Sequence, residues 1–260
     1  YIAQDYLANG KADKAVRVTE EMLNWRKNLK SPAMYSDYQP TISFDLIERL
    51  CRAGKYSDAL RLLTLEIQNA HESGTNFAFE LEAVAHRAEV CAAAREFDEC
   101  EKDIAMLFDM YKSRTFVHTY EYHCDPMDFV GEAANICERR GNTKLAFAIF
   151  ERLIKFQMEH LRPDDPRLGY ALDNLAQLRI KHYQYKTARQ NLYRARVISS
   201  LSESDESLPK QDLEWNTNSL SKELEWLDQK IRIMDRRLNN KPIKSRLTNK
   251  PYPSQTLAKR

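Results

Sequence analysis

One spacing constrains this chain more than any other feature. "RAGKYSDAL" at 52–60 sets a glycine, an aromatic residue and a small residue close together, and related stretches stand at 8–16 ("ANGKADKAV"), 93–101 ("AAREFDECE"), 138–148 ("ERRGNTKLAFA") and 181–189 ("KHYQYKTAR"). The small residues Ala15, Ala59, Cys100, Ala146 and Ala188 are separated by 44, 41, 46 and 42 positions. Twelve residues before each stand Ala3, Ile47, Ala88, Ala134 and Ala176, and four after the last four stand Leu63, Ile104, Phe150 and Leu192. Three rows at helical offsets define a repeated unit of two helices and a turn, and a period of this length points to stacked repeats.

The physics of such a unit explains the rows. Two antiparallel helices need small residues where their backbones approach and large ones beside that contact. Gly10, Gly54 and Gly141 stop the first helix, because glycine enters the left-handed cap at little cost. Tyr56, Phe97 and Tyr185 open the second helix and cover the turn. The pattern predicts helix pairs near 1–9/12–29, 41–53/56–71, 77–94/97–113, 126–140/143–160 and 165–182/185–201. The connectors are 31–40, 71–76, 118–126 and 162–166. Pro40, Pro126 and Pro166 fall at helix starts, where a missing N–H is harmless, and Asp125 is placed to cap the helix after it. The expected fold is all-α, an α-solenoid of about five helix pairs, in which the first helices line the concave side.

Composition agrees. A chain of 260 residues with 30% charged residues, 10% aromatics and only six glycines suits long solvated helices. The formal net charge of +2, from 40 bases and 38 acids, gives no global bias toward nucleic acid. Five cysteines without a CxxC pair, three of them (Cys51, Cys91, Cys137) on apolar helix faces, read as buried thiols in a reducing, cytoplasmic compartment. No apolar run approaches the ~20 residues of a membrane span and no secretory signal opens the chain. The chain begins at Tyr1 with a helix that reads as cut short, so a trimmed N-terminus is expected.

Residues 1–200 form the expected repeat domain, followed by a polar linker at 201–211. An amphipathic helix at 212–240 carries Leu220, Leu224, Leu227, Ile231, Met234 and Leu238 at heptad spacing. It serves either to cap the exposed flank of the last repeat or to zip two chains into a homodimer. Residues 241–260 hold six bases and no acid, a tail too polar to build a core.

Nothing in the chain carries recognisable catalytic chemistry. No P-loop, GxGxxG, HExxH or GxSxG occurs, so no enzyme activity and no cofactor are expected. His118, His123 and Cys124 lie close in sequence but lack a fourth ligand and zinc spacing, so no metal is expected there.

The pattern resembles tetratricopeptide repeats, in the longer form of kinesin light chains and bacterial relatives. "LRPDDPRLGYALDNLAQLRIKHYQYKTARQNLYRARVI" at 161–198 is similar to that family's proline–aspartate connector followed by an "NLA" helix. The third repeat departs, with Arg95 for glycine and Cys100 for alanine, and the fourth has Thr143 for the turn aromatic. The resemblance implies that the concave face receives a peptide or protein. Its inner positions are Phe44, Asp45, Glu48 and Arg52 in the second repeat, and Glu82, His86 and Glu89 in the third. Asp128, Glu132, Asn135 and Arg139 follow in the fourth, then Tyr170, Asp173, Asn174, Gln177 and Lys181 in the fifth. With Glu138, eight acids stand there against three bases, which favours a partner segment of basic character. Asn174 matches the family's groove asparagine, whereas the lysine–asparagine clamp for a C-terminal carboxylate is not reproduced. Kinesin light chain carries its coiled coil before the repeats; this chain has heptads only after them. The reading is a non-enzymatic scaffold or adaptor; the alternative is a nucleic-acid-associated regulator that uses the basic tail.

Overall fold

A computed structural model describes residues 2–27, 44–73, 77–113, 126–204 and 217–239. Pro40, Asp125, the His118–His123–Cys124 group and the basic tail lie outside the described residues. Within them the chain forms eleven helices and no strand: α1 (Ile2–Ala8), α2 (Ala12–Lys27), α3 (Phe44–Arg52), α4 (Tyr56–Ser73), α5 (Phe77–Ala94), α6 (Phe97–Ser113), α7 (Pro126–Arg139), α8 (Thr143–His160), α9 (Pro166–Lys181), α10 (Tyr185–Ser204) and α11 (Thr217–Asn239).

The five turns share one construction. Gly10, Gly54, Arg95, Gly141 and Tyr183 all adopt positive φ, between 60° and 93°. In each turn the next amide reaches back five residues to a helix carbonyl: Lys11 to Tyr6, Lys55 to Leu50, Glu96 to Cys91, Asn142 to Cys137 and Gln184 to Arg179, all at 2.8 Å. This is the Schellman cap, which satisfies carbonyls that the helix end leaves open. Arg95 and Tyr183 keep the cap where glycine is missing, so the third and fifth turns hold their register against a backbone cost.

The rows predicted from spacing are the core. Ala15, Ala59, Cys100, Ala146 and Ala188 are all fully buried, as are Ala88, Ala134 and Ala176; Ile47 is buried beside them, and Ala3 at the first edge is half-buried. Leu63, Ile104, Phe150 and Leu192 are buried large neighbours. Side chains this enclosed tolerate neither added nor removed volume.

The chain divides into two compact units, Tyr1–Ile149 and Phe150–Arg260. In the first, α2 packs on α4, and α5 packs on α4, α6 and α7. Buried Asn69 donates to the Leu23 carbonyl at 3.1 Å, tying α4 to α2. The Arg87 guanidinium grips Asp103 with two bonds, at 3.0 and 2.6 Å, joining α5 to α6. Arg140 donates to the Tyr56 hydroxyl at 2.7 Å, linking the fourth turn to the second.

In the second unit α9 packs on α10, and α10 on α11. Asp165 caps α9 by accepting from the Arg167 amide at 3.0 Å, ahead of Pro166 at the first helical position. The heptad row of α11 divides along its length. Leu220, Leu224 and Leu227 are buried within the single chain, Ile231 is half-buried and Met234 is exposed. Asp228 pairs with Arg189 of α10, and Glu223 accepts from Gln177 of α9 at 2.7 Å.

Candidate functional site

The first helices of the first unit bring the predicted residues together around one imidazole. His86 on α5 lies between two phenylalanines: its ring centroid is 4.0 Å from Phe44 of α3 and 4.4 Å from Phe129 of α7. The tilted geometry is one that aromatic pairs favour. Its Nδ1–H donates to Glu89 Oε2 at 3.2 Å, and both side chains are mostly covered, at 15% and 19% exposure. Three successive first helices therefore share a continuous aromatic row, fixed at its centre by a carboxylate one helical turn along α5.

Two acids of α5, Glu82 and Glu89, stand against this row. Burial raises the Glu82 carboxyl above the ordinary carboxylate range, partly opposed by His86. The Cys51 thiol is pushed up to about 11, first by burial and then by the negative fields of Glu89 and Glu48. One half-buried thiol thus senses carboxylates from both α3 and α5. Asp45, Glu48 and Asp128 are exposed, while Glu132 and Glu138 are half-covered. Seven acids stand at the inner positions of this unit against Arg52 and Arg139, and both bases are engaged locally. Arg52 pairs with Glu48 at 2.5 Å, and Arg139 with Glu132 at 2.6 Å. Asn135 also donates to Glu132, at 3.3 Å. These are surface pairs along single helices, of the kind that contributes little stability.

The structure qualifies the sequence reading at several points. Ala85 and Ala92, which neighbour His86 and Glu89 along α5, are fully buried and offer no surface. Glu89 is a packing residue, because His86 leans on it. Phe129 is not among the predicted inner positions, and no spacing signal singles it out. In the second unit Tyr170, Asn174 and Lys181 are exposed and Asp173 is half-buried. Gln177 is held by Asp173 at 3.2 Å and by Glu223 of α11, so the terminal helix occupies part of this face.

Other chemistry is sparse. Among the described residues, no three His, Cys, Asp or Glu side chains are grouped to hold a metal ion. Cys91 is buried, its thiol raised to about 12 by burial and then by Asp103. Cys100 is also pushed up, by its hydrogen bond with Cys137 and by burial. Neutral, enclosed thiols are poor nucleophiles. No described helix is long and apolar enough to cross a membrane.

No protein-family model and no curated protein matches the chain. Among solved structures, it is similar to the nearly identical TPR-like repeats of a kinesin-light-chain-like protein of Podosopora anserina, with 18% identity over 78% of this chain and 94% of that one, at a TM-score of 0.46. A singly substituted form of that protein gives the same values. BtubC (BKLC) of P. vanneervenii is 14% identical over 82% of each chain, at a TM-score of 0.45.

Proposed function

We propose that the chain is a non-enzymatic interaction scaffold, and that the first-helix face of residues 44–139 holds a segment of another protein with basic and apolar residues. The observation that carries this reading is the Phe44–His86–Phe129 row bordered by carboxylates. An aromatic row held by packing offers flat apolar area at low entropic cost. Guanidinium or ammonium groups over such rings gain cation–π attraction, and the bordering acids steer them there. A partner that displaces Arg52 and Arg139 from Glu48 and Glu132 replaces internal pairs worth little with intermolecular ones.

The test is calorimetric titration of the full chain with a short synthetic peptide of alternating leucine and arginine. We expect binding that weakens with added salt, as screened charges require. Glu48→Gln combined with Glu132→Gln weakens it about tenfold, since each pair contributes a fraction of a kcal/mol to ~1 kcal/mol. Both positions lie on exposed or half-covered helix surface, so circular dichroism stays unchanged. Undiminished affinity in the double variant overturns the reading.

A further inference from the structure

The second unit carries an apolar groove that the reading above does not use. It has a volume of about 410 Å³ and lies between α8 and α10, floored by Leu168 and Ile198 and walled by Met158, Tyr193 and Val197. Leu168 and Ile198 are buried, but Met158 (54%), Tyr193 (51%) and Val197 (40%) are exposed, and Leu201 (49%) continues beyond them. Tyr193, Val197 and Leu201 follow one another at four-residue spacing. They form a straight ridge on α10, of the kind that a second helix packs against.

Charge decides what fits. Helical periodicity sets Arg194 on one side of this ridge and Arg196 on the other. Neither guanidinium has a carboxylate partner among the described residues. Arg194 donates to the Met158 sulfur at 3.5 Å, and Arg196 lies over the Tyr193 ring at 5.3 Å from its centroid. Arginine that leans on a thioether and an aromatic ring keeps its charge and its outward donors available for a planar carboxylate. Along α10 no acid precedes Glu203 to compete for these two guanidiniums, whereas Arg189 is already taken by Asp228. The chain's own tail at 241–260 carries six bases and no acid, so like charge disfavours it here.

We propose that this groove docks an acidic amphipathic helix of a partner protein. Its apolar stripe covers the Tyr193–Val197–Leu201 ridge, one apolar side chain enters the cavity beside Met158, and flanking carboxylates pair with Arg194 and Arg196. This is helix-in-groove recognition with arginines as the selective element. The surface is separate in residues and in charge from the acidic face of the first unit, so it stands whether or not that face binds.

The probe is a synthetic amphipathic helix with leucine on one stripe and glutamate elsewhere, titrated into the full chain labelled with ¹³C at methionine methyls. The Met158 methyl resonance moves with saturation, and the affinity falls as salt is raised. Arg194→Gln weakens the interaction about tenfold, and Val197→Asp, which places a carboxylate on the ridge, weakens it further. Both sites are exposed, and unchanged circular dichroism confirms that each variant folds. The proposal is overturned if the Met158 resonance stays fixed, or if both variants bind the probe as the parent does. It is equally overturned if light scattering shows the parent to be a dimer that Val197→Asp converts to monomers, because a second copy would then be the occupant.

Discussion

Glu82 shows how a single residue can report on the acidic face. Its carboxyl is half-buried beside the aromatic row, and burial raises its pKa although His86 pulls the other way. The folded chain therefore holds this proton more tightly than the unfolded chain does. The protonated form contributes stability at low pH, and that contribution is lost as pH rises from the ordinary carboxylate value through the raised one. A cationic partner reverses the preference, because a positive charge nearby favours the ionised form. Binding of the leucine–arginine peptide is thus expected to release a proton in weakly acidic solution and to tighten as pH rises through the same window. Calorimetry in two buffers of different ionisation enthalpy measures the released proton directly. Glu82→Gln removes it while leaving proton exchange at other groups in place. A proton count identical in parent and variant would detach Glu82 from the binding face.

At the scale of elements, the turn and its two helices behave as the spacing demands, and the exceptions are instructive. The fully buried row from Ala15 to Ala188 was legible because close helix approach permits few residue types. Arg95 and Tyr183 were harder to read: their side chains say nothing about positive φ, yet the repeat imposes it at 67° and 60°. Restoring glycine there relieves a left-handed cost of roughly 1–2 kcal/mol, less the extra freedom glycine has when unfolded. Arg95→Gly is expected to raise stability by up to about 1 kcal/mol. Gly54→Ala is expected to lower it by about 1 kcal/mol although open space surrounds the missing Cβ, so backbone conformation alone is the cause. Denaturant melts of the two variants should move in opposite directions.

The terminal helix was legible only as an amphipathic seam, because heptad spacing is common to a cap and a zipper. The fold separates its two halves: Leu220, Leu224 and Leu227 are consumed within the chain, whereas Met234 is not. Leu227 is fully buried, so Leu227→Ala should cost about 2–5 kcal/mol in the second unit's stability. Met234→Ala, at an exposed position, should leave the melt within ~0.5 kcal/mol of the parent. Equal small effects would mean that α11 does not cap the last repeat. The contact from Glu223 to Gln177 had no local signal either, since the two residues lie 46 positions apart. For the same reason Phe129 joined the aromatic row unannounced: packing across three helices, and no spacing rule, brought it to His86.

At the scale of the whole molecule, a net charge of +2 conceals strong local opposition. Acids gather on the first helices of residues 44–139, and guanidiniums without a carboxylate partner among the described residues flank the apolar ridge of α10 in the other compact unit. Two surfaces of opposite sign that share no residue should select opposite partners, and changes at one should leave the other's affinity alone. Substitutions that share no partners usually add, and any coupling between the two surfaces would appear as a reciprocal change in both affinities. A crossed design measures this with separate titrations. Glu48→Gln with Glu132→Gln should weaken the leucine–arginine peptide about tenfold yet leave the leucine–glutamate helix within about twofold of the parent. Arg194→Gln should do the reverse. Neutral glutamine is the appropriate replacement, because a reversed charge would build a new site for the opposite probe. If either variant shifts both affinities together, the two surfaces are one recognition system, and the assignment of separate partners fails.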